Sequence, residues 1–514
     1  MILHFMDNGS KDNKQDRLRL AQNSLLKPDS AKKNFAFQFI YQVVIMVIPL
    51  IVSPYLTRTL GGTSLGVYSY TYSVAYYFVT FAMLGISRHG QRIIAQRRPS
   101  NMGGDTTVLR KTFWSLLTVH AIASILALVA YVSYVVAICG SDVDVAWAQI
   151  IYVISALFDL TWLFYGLEKF KMVAIRNVII KVISTACIFI FVKSPTDIML
   201  YTLIMAASTC LGQIALFPQV IAEIPPIKFS KDDLKEHIKP LFTLFVAAIA
   251  ISLYTMFDKT LLGIMATKES VAYYEYSNKI IMIPTIFISI ISTVLYPRAC
   301  QYAAVQDYEG MCGNMEKSLT VSNLIGFAST PGLIAIADQF ALLYYGEEFA
   351  ICGGIISVMC PLILITGIGE AFRSQFIYPL KMDLTMVKIV TLNAVVNLVL
   401  SATLIPSLGV YGAVIGSIAA ELNGLIIEVF LVRKIVSPKW IILQCVPYAV
   451  IGGAMFIAVR AISTISGSGW IGLGIQVLTG GAVYCGLALT YMYFFKRELL
   501  EVGFKAIGNK LNRK

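Results

Sequence analysis

The chain has 514 residues, of which 57% are hydrophobic and only 14% are charged, and its formal net charge is +12. About fourteen long apolar stretches run through it, and a bilayer core of about 30 Å needs roughly 20 apolar residues per helix. This composition excludes a soluble globular protein. The positive charge does not indicate nucleic-acid binding, because the basic residues flank the apolar stretches, where they meet anionic lipid headgroups.

The apolar stretches predict fourteen transmembrane helices between a polar cytoplasmic arm (1–34) and a basic cytoplasmic tail (496–514). The arm contains no apolar segment followed by a cleavage site, so we expect no removable signal peptide. In chain order, the predicted spans are 35–59, 64–89, 112–138, 145–166, 172–192, 197–221, 239–265, 270–297, 317–337, 350–379, 384–404, 410–433, 440–460 and 470–495.

Basic residues fall almost entirely in alternate gaps between the predicted spans. One set of gaps contains the 88–111 and 228–239 clusters, whereas the other set contains little beyond Arg58, Lys193, Lys268 and Arg460. Because cytoplasmic loops are enriched in Lys and Arg, this asymmetry predicts that both termini are cytoplasmic and that the number of spans is even. The predicted external loops are all short.

Similar segments recur at an interval of roughly 200 residues. Residues 67–73 resemble 271–277, and both Arg88 and Arg298 stand near the end of a span, three residues before a glutamine. We interpret this as a six-helix unit used twice in parallel, a pattern in which transporters bind substrate between the two bundles. The predicted domains are an N-lobe (35–225), a C-lobe (226–435) and two added helices (436–495).

Charged side chains within the predicted spans are candidate site residues, because each costs about 2.5–3.5 kcal/mol near the bilayer centre. They are Asp159, Asp258, Lys259, Glu275, Lys279, Glu370, Arg373 and Glu421. Pairing within one helix would account for two pairs, since Glu275 and Lys279 are four residues apart, and Glu370 and Arg373 are three apart.

Asp258 and Lys259 are adjacent, so their side chains point about 100° apart on a helix and cannot pair well with each other. We expect at least one of them to face a polar interior. Arg58, Lys259 and Lys279 all fall in the external half of predicted spans. Three cations at similar depth would suit a wet, positive cavity that binds anions. For Arg58, the alternative is that its side chain extends to the external surface.

Tyrosines concentrate at the start of the second and eighth predicted spans, where Tyr72 and Tyr276 lie. Two interpretations remain open, an aromatic belt at the membrane interface and a stacking surface for sugar rings. The four histidines are far apart in sequence, and the scattered cysteines form no CxxC pair. We therefore expect no metal site, disulfide framework or cofactor.

Four segments, in this order, carry a family resemblance: PLIVSPYLTRTLG (49–61) followed by GVYS (66–69), WLFYGLEKF (162–170), YPR (296–298), and LIPSLGVYGAV (404–414) with Glu421. They resemble the first hairpin, the exits of the fourth and eighth spans, and the eleventh–twelfth hairpin of Wzx-type bacterial polysaccharide flippases. These flippases belong to a superfamily that also includes multidrug and toxic-compound extruders and the lipid II flippase. The resemblance covers residues 35 to about 435.

The resemblance implies an all-α, V-shaped polytopic transporter of the bacterial cytoplasmic (inner) membrane, with two six-helix lobes and two C-terminal helices, and no enzymatic activity. It also implies movement of an undecaprenyl-diphosphate-linked oligosaccharide repeat unit to the external leaflet by alternating access. Such transport serves O-antigen, capsule or exopolysaccharide biosynthesis. The implied partners are this lipid-linked substrate, membrane lipids, H+ or Na+ as coupling ion, and the polysaccharide polymerase machinery.

The same resemblance gives roles to the candidate residues. The diphosphate charge would be offset by Arg58, Lys259, Lys279 and Arg373. Sugar contacts would come from Tyr72 and Tyr276. The candidates for binding a coupling ion are Asp159, Asp258 and Glu370. The candidates for a cytoplasmic gate are Arg88 and Arg298.

Two other functions are weighed against this interpretation. A multidrug or organic-cation extruder of the same superfamily would be expected to place carboxylates in its cavity, often in the first span, yet residues 35–57 contain no Asp or Glu. A polysaccharide polymerase would be expected to carry a large external loop. No predicted external gap exceeds roughly fifteen residues.

Overall fold

The structure is a computed structural model that describes residues 31–98, 105–138, 140 and 142–497. Every regular element in these ranges is helical. A bilayer core offers no hydrogen-bond partners, so each span must satisfy its backbone N–H and C=O groups internally. The predicted all-α fold class is confirmed. The predicted arm lies outside the described residues up to residue 30, and the predicted tail lies outside them from residue 498.

The α-helices of the described chain are α1 Ala31–Met83, α2 Ile86–Gln96, α3 Thr107–Ala137, α4 Val143–Leu157, α5 Thr161–Gly166, α6 Phe170–Phe191, α7 Ile198–Ile214, α8 Phe217–Glu223, α9 Lys231–Met265, α10 Lys268–Ala304, α11 Tyr308–Tyr345, α12 Cys352–Met359, α13 Pro361–Phe372, α14 Asp383–Leu408, α15 Val410–Val432, α16 Pro438–Ser463 and α17 Trp470–Phe495. Short 3-10 helices cover Pro195–Asp197 and Glu347–Phe349. One π-helical segment, Arg373–Ile377, follows α13 directly.

Within the described ranges, 11 helical stretches are long and apolar enough to cross a bilayer, or up to 13 if each of two bent pairs is one span. The bent pairs are Lys231–Ala250 with Thr255–Met265, and Glu347–Met359 with Pro361–Ile377. The predicted count of fourteen is therefore not confirmed. The first two predicted spans share one of these stretches, Gln42–Gln96, which runs from within α1 to the end of α2. A kink at Gly61, with φ of 73°, divides α1 into two helices between these two predicted spans.

The chain forms two compact units. The first unit comprises the described chain up to Leu60 together with Val67–Met256. The second unit comprises Gly61–Gly66 and the described chain from Phe257 onward. Helix α9 contributes to both units, and α16 and α17 belong to the second. The predicted lobe boundaries at 225/226 and 435/436 stay a prediction.

The core of the first unit is built around Trp162, which is 1% exposed on the short helix α5. Its indole lies parallel to the ring of Phe113, with the centroids 5.8 Å apart. The backbone of α2 approaches this indole closely at Gly90, where an added Cβ would lie 2.5 Å from a ring carbon. Glycine at that position therefore lets α2 and α5 pack against each other with no side chain between them.

In the second unit, the segment Gly61–Gly66 is held by two glutamates. Glu348 accepts a hydrogen bond of 2.6 Å from the Gly62 N–H, and Glu269 accepts one from the Thr63 hydroxyl. The close approach is tightest at Gly66, where an added Cβ would lie 1.8 Å from the backbone oxygen of Lys268. This contact involves backbone rather than a flexible side chain, so only glycine fits.

Replacing Gly66 by alanine is expected to destabilise the fold, because the α1 backbone must move away from the start of α10. Overpacking of this kind typically costs about 1–3 kcal/mol, and a clash with backbone belongs at the upper end. The effect is measured as the thermal midpoint of the detergent-solubilised protein, monitored by the loss of the monodisperse peak in size-exclusion chromatography after heating. The matched control is Gly453→Ala in α16, where an added Cβ has nothing within 4 Å. Equal midpoints for the two variants would contradict the argument.

Candidate functional site

Two lysines and one glutamate form a charged cluster in the second unit. Lys259 on α9 places its Nζ 2.5 Å from Glu275 Oε2 on α10, and Lys279, one turn further along α10, places its Nζ 3.8 Å from Glu275 Oε1. The predicted pairing of Glu275 with Lys279 is therefore confirmed, and Lys259 joins it from the neighbouring helix. Two cations share one carboxylate, so the three side chains together carry one positive charge. We call this group the lysine cluster.

The residue beside Lys259 faces a different group of partners. Asp258 is 5% exposed, and its carboxylate accepts four hydrogen bonds from α10, α14 and α15. Oδ2 accepts from the Tyr274 hydroxyl at 2.7 Å and the Ser417 hydroxyl at 2.5 Å. Oδ1 accepts from Asn397 Nδ2 at 3.1 Å and the Ser401 hydroxyl at 3.2 Å. As predicted, Asp258 and Lys259 turn apart, and each meets polar partners.

Hydrogen bonds to a carboxylate stabilise its ionised form, which is otherwise costly to bury. The Asn397 side-chain oxygen adds a further acceptor to this group, and it is buried with no hydrogen-bond partner among the described residues. The site, which we call the Asp258 cluster, therefore combines one carboxylate with an amide oxygen and three hydroxyls. Such an oxygen-rich set suits a hard cation or a proton.

Arg373 was predicted to offset the charge of a diphosphate, and two carboxylates surround it. In the structure its Nη1 donates to Glu428 Oε1 at 3.0 Å and its Nε to Glu370 Oε2 at 3.3 Å. The pairing with Glu370 was predicted, but Glu428 on α15 was missed. Two carboxylates therefore share this guanidinium, and its substrate role stays a prediction. The sequence signal that could have pointed to Glu428 is Glu421, a predicted candidate two helical turns earlier on the same helix.

Aromatic side chains of the first unit gather around Tyr72. Its ring centroid lies 5.0 Å from that of Tyr152 and 6.0 Å from that of Tyr68. The hydroxyls of Tyr68 and Tyr152 are 3.1 Å apart, and Tyr201 packs edge-on against Tyr68 at 4.8 Å. Tyr72 is partly exposed, so one side of this tyrosine cluster can be reached.

Tyr276 has a different environment from Tyr72. It is 2% exposed and packs edge-on against Tyr345 and Phe349. The ammonium of Lys279 lies 3.9 Å from its ring centroid, a cation–π contact. This contact helps to fix the position of Lys279 beside the ring. The predicted sugar contact of Tyr276 remains a prediction.

The three arginines predicted near the membrane surfaces are all exposed. Arg58 donates from Nη1 to the Pro54 carbonyl at 3.0 Å, one turn back on α1. Arg88 lies on α2, and Arg298 lies near the end of α10. Exposure of Arg58 agrees with an extension of its side chain toward the surface. The substrate role of Arg58 and the gate roles of Arg88 and Arg298 stay predictions.

The third coupling-ion candidate, Asp159, lies between α4 and α5. Its Oδ1 accepts a 2.8 Å hydrogen bond from the Thr161 N–H, the first backbone donor of α5. The first N–H groups of a helix have no partner inside the helix, so this contact stabilises the start of α5. The structure thus gives Asp159 a local structural contact.

Two histidines that are far apart in sequence meet in the first unit. His89 Nε2 on α2 lies 3.1 Å from His237 Nδ1 on α9, and both rings are buried. The spacing of the histidines along the sequence did not predict this contact. Helix packing, rather than spacing along the chain, brings them together. Among the described residues, no group of three or more His, Cys, Asp or Glu side chains could hold a metal ion.

Comparison with solved structures identifies the fold. The lipid II flippase MurJ in an inward closed conformation superposes with a TM-score of 0.72 at 14% identity, covering 90% of this chain and 100% of that one. A multidrug resistance MATE family transporter of the MOP superfamily gives 0.58 at 14% identity, covering 84% and 98%. The fold and the many long apolar helices define a multi-pass membrane protein.

The family follows from the sequence match. The model of the polysaccharide biosynthesis protein family matches residues 31–303, more than half of the chain, and the chain belongs to this family. A putative O-antigen transporter of Escherichia coli (strain K12) is 22% identical over 396 residues, which cover 76% of this chain and 94% of that relative. The predicted resemblance to Wzx-type flippases is confirmed.

Proposed function

We propose that this protein is a flippase that moves an undecaprenyl-diphosphate-linked oligosaccharide from the cytoplasmic to the external leaflet by alternating access. The observation that carries the proposal is the lysine cluster, Lys259–Glu275–Lys279, with its one net positive charge among apolar helices. A diphosphate brings negative charge into a medium of low dielectric, where desolvation is costly. Nearby ammonium groups offset that cost.

The geometry of the lysine cluster suits reversible binding of a substrate anion. The side chains of Lys259, Glu275 and Lys279 are 12%, 20% and 29% exposed, so solvent and substrate can reach them. Glu275 holds the two ammonium groups side by side, which reduces the conformational freedom that would be lost when they bind phosphate oxygens. An organic cation would be repelled by the net charge.

The sugar part of the substrate would contact the tyrosine cluster around Tyr72. The partly exposed ring of Tyr72 is fixed by Tyr68 and Tyr152, and aromatic rings held in this way present a rigid apolar face with hydroxyls at its edge. The lipid tail would remain in the bilayer. We propose a bacterial inner-membrane location with cytoplasmic termini, in association with polysaccharide polymerase machinery.

Energy coupling would use the Asp258 cluster. A carboxylate that accepts four hydrogen bonds, next to an unsatisfied amide oxygen, is a suitable place for Na+ or H+ to bind and leave. Its partners come from α10, α14 and α15, so occupancy of the cluster would alter how these helices are held together. Asp258 and Lys259 are consecutive residues of α9, so this helix would link the coupling ion to the substrate phosphates.

The test is the leaflet accessibility of a lipid-linked oligosaccharide in proteoliposomes with and without this protein. We expect the headgroup to appear on the opposite face only when the protein is present, and an imposed Na+ or H+ gradient to accelerate this movement. Efflux of small organic cations without oligosaccharide movement would instead support an extruder. Growth of the glycan chain without leaflet transfer would support a polymerase.

A further inference from the structure

A second buried acidic group lies in the second unit, with no residue in common with the Asp258 or lysine clusters. Its centre is the Glu428 side chain on α15, which is fully inaccessible to solvent. Glu428 Oε1 accepts from Arg373, whereas Oε2 is buried with no hydrogen-bond partner among the described residues. An ionised carboxylate with one unsatisfied buried oxygen is costly, because each unpaired buried polar atom costs about 1–3 kcal/mol and more when charged.

The charges around this carboxylate do not cancel when all groups are ionised. Among the described residues, the charged groups acting on Glu428 are Glu370 on α13, Arg373 directly after α13, and Glu421 on the same helix as Glu428. Arg373 divides its guanidinium between Glu428 and Glu370, at 3.0 Å and 3.3 Å. One cation thus faces at least two anions, of which Glu428 is the one that water does not reach.

The space around Oε2 suits a proton rather than a metal ion. A Cβ added at Gly369 would lie 3.0 Å from Glu428 Oε2 and 2.9 Å from Arg373 Nη1. The carboxylate and guanidinium therefore pack directly against the α13 backbone at Gly369. A metal cation would need several oxygen ligands in this space and would be repelled by Arg373 at close range. A proton requires no additional volume.

We propose that Glu428 binds a proton on Oε2 and thereby controls how Arg373 holds α13 against α15. A proton taken from water turns the carboxylate into a neutral acid, and the group loses its surplus charge. A neutral acid accepts a weaker hydrogen bond from a guanidinium than a carboxylate does. Protonation therefore loosens the contact between Arg373 and Glu428 and leaves Arg373 to Glu370.

The backbone at Arg373 is suited to respond to this change. The π-helical segment Arg373–Ile377 begins at the residue that makes the contact. π-Helical segments are rare and occur mostly as single turns at functional sites. Release or capture of the Arg373 side chain acts directly on the first residue of this segment. The proton-binding site and the irregular backbone are thus one structural device.

The test is infrared difference spectroscopy of the full chain in lipid nanodiscs between about pH 5 and about pH 9, the range in which buried glutamates titrate. A protonated carboxylic acid has a C=O stretching band that a carboxylate lacks. We expect such a band in the wild type and its loss in Glu428→Gln, which keeps the shape and an oxygen acceptor for Arg373. The matched control, Glu370→Gln, removes the other, 30% exposed partner of Arg373 and should retain the band.

Arg373→Gln provides a second measurement, since removal of the adjacent positive charge favours the neutral acid. We expect its band to persist to more alkaline pH than in the wild type. A wild-type spectrum without the band, or a band that survives Glu428→Gln, would overturn the proposal. An unchanged pH profile in Arg373→Gln would do the same. These readouts do not require transport, so they stand apart from the test of the proposed function.

Discussion

Lys259→Ala is expected to reduce flipping of lipid-linked oligosaccharide in proteoliposomes at least about a hundredfold, while insertion into the membrane stays intact. A unit charge about 4 Å from a partner contributes roughly 4 kcal/mol at intermediate dielectric, and each 1.4 kcal/mol is about a tenfold effect. The fold should tolerate the change because Glu275 keeps a second cation, Lys279, whose Nζ lies 3.8 Å away. Flipping rate and yield of monodisperse protein are the two measurements.

A double variant separates substrate binding from simple charge neutralisation. If Lys259 serves only to neutralise Glu275, then Lys259→Ala combined with Glu275→Gln should recover transport, because the carboxylate that Lys259 neutralises is removed as well. If Lys259 binds the diphosphate, the double variant should stay as inactive as the single one. Lys259→Arg should retain part of the activity, since it keeps the charge but changes its geometry. Full transport by Lys259→Ala would refute the role of this lysine.

Asp258→Asn is expected to abolish the acceleration of flipping by an ion gradient. The amide keeps the size of the side chain but carries no charge, so it cannot bind and release a cation or proton as the carboxylate does. In the wild type, hydroxyl groups donate to Oδ1 and Oδ2 of Asp258. In the variant, a hydroxyl that faces the amide nitrogen can rotate and accept a hydrogen bond from it. Rates measured separately under Na+ and H+ gradients would identify the ion.

Asp159→Asn is the matched control for Asp258→Asn. Asparagine provides a side-chain oxygen that can accept from the Thr161 N–H just as aspartate does, so the start of α5 should remain intact. We expect gradient-driven flipping to continue in this variant. Loss of coupling in Asp159→Asn with normal coupling in Asp258→Asn would exchange the roles of the two residues and contradict the assignment.

The features predicted correctly are those that depend on residues close together within one helix. The helical class follows from apolar stretches that must satisfy their own backbone, and the pairing of Glu275 with Lys279 follows from a spacing of one helical turn. The break between the first two predicted spans was also expected, and it falls at Gly61, whose φ of 73° interrupts the helical geometry inside α1. Hydropathy alone does not specify the backbone conformation at this glycine.

The membrane setting, the polysaccharide biosynthesis family and the turn-spaced ion pairs can all be read from the amino-acid sequence, because they depend on composition and on neighbours within one helix. Which charges meet across helices became known with the packing of the helices. This packing placed Lys259 against Glu275, gave Asp258 partners more than 130 residues away such as Asn397, and paired Arg373 with Glu428. The physical reason is that helix periodicity fixes the direction of a side chain on its own axis, whereas its partner depends on how the helices pack.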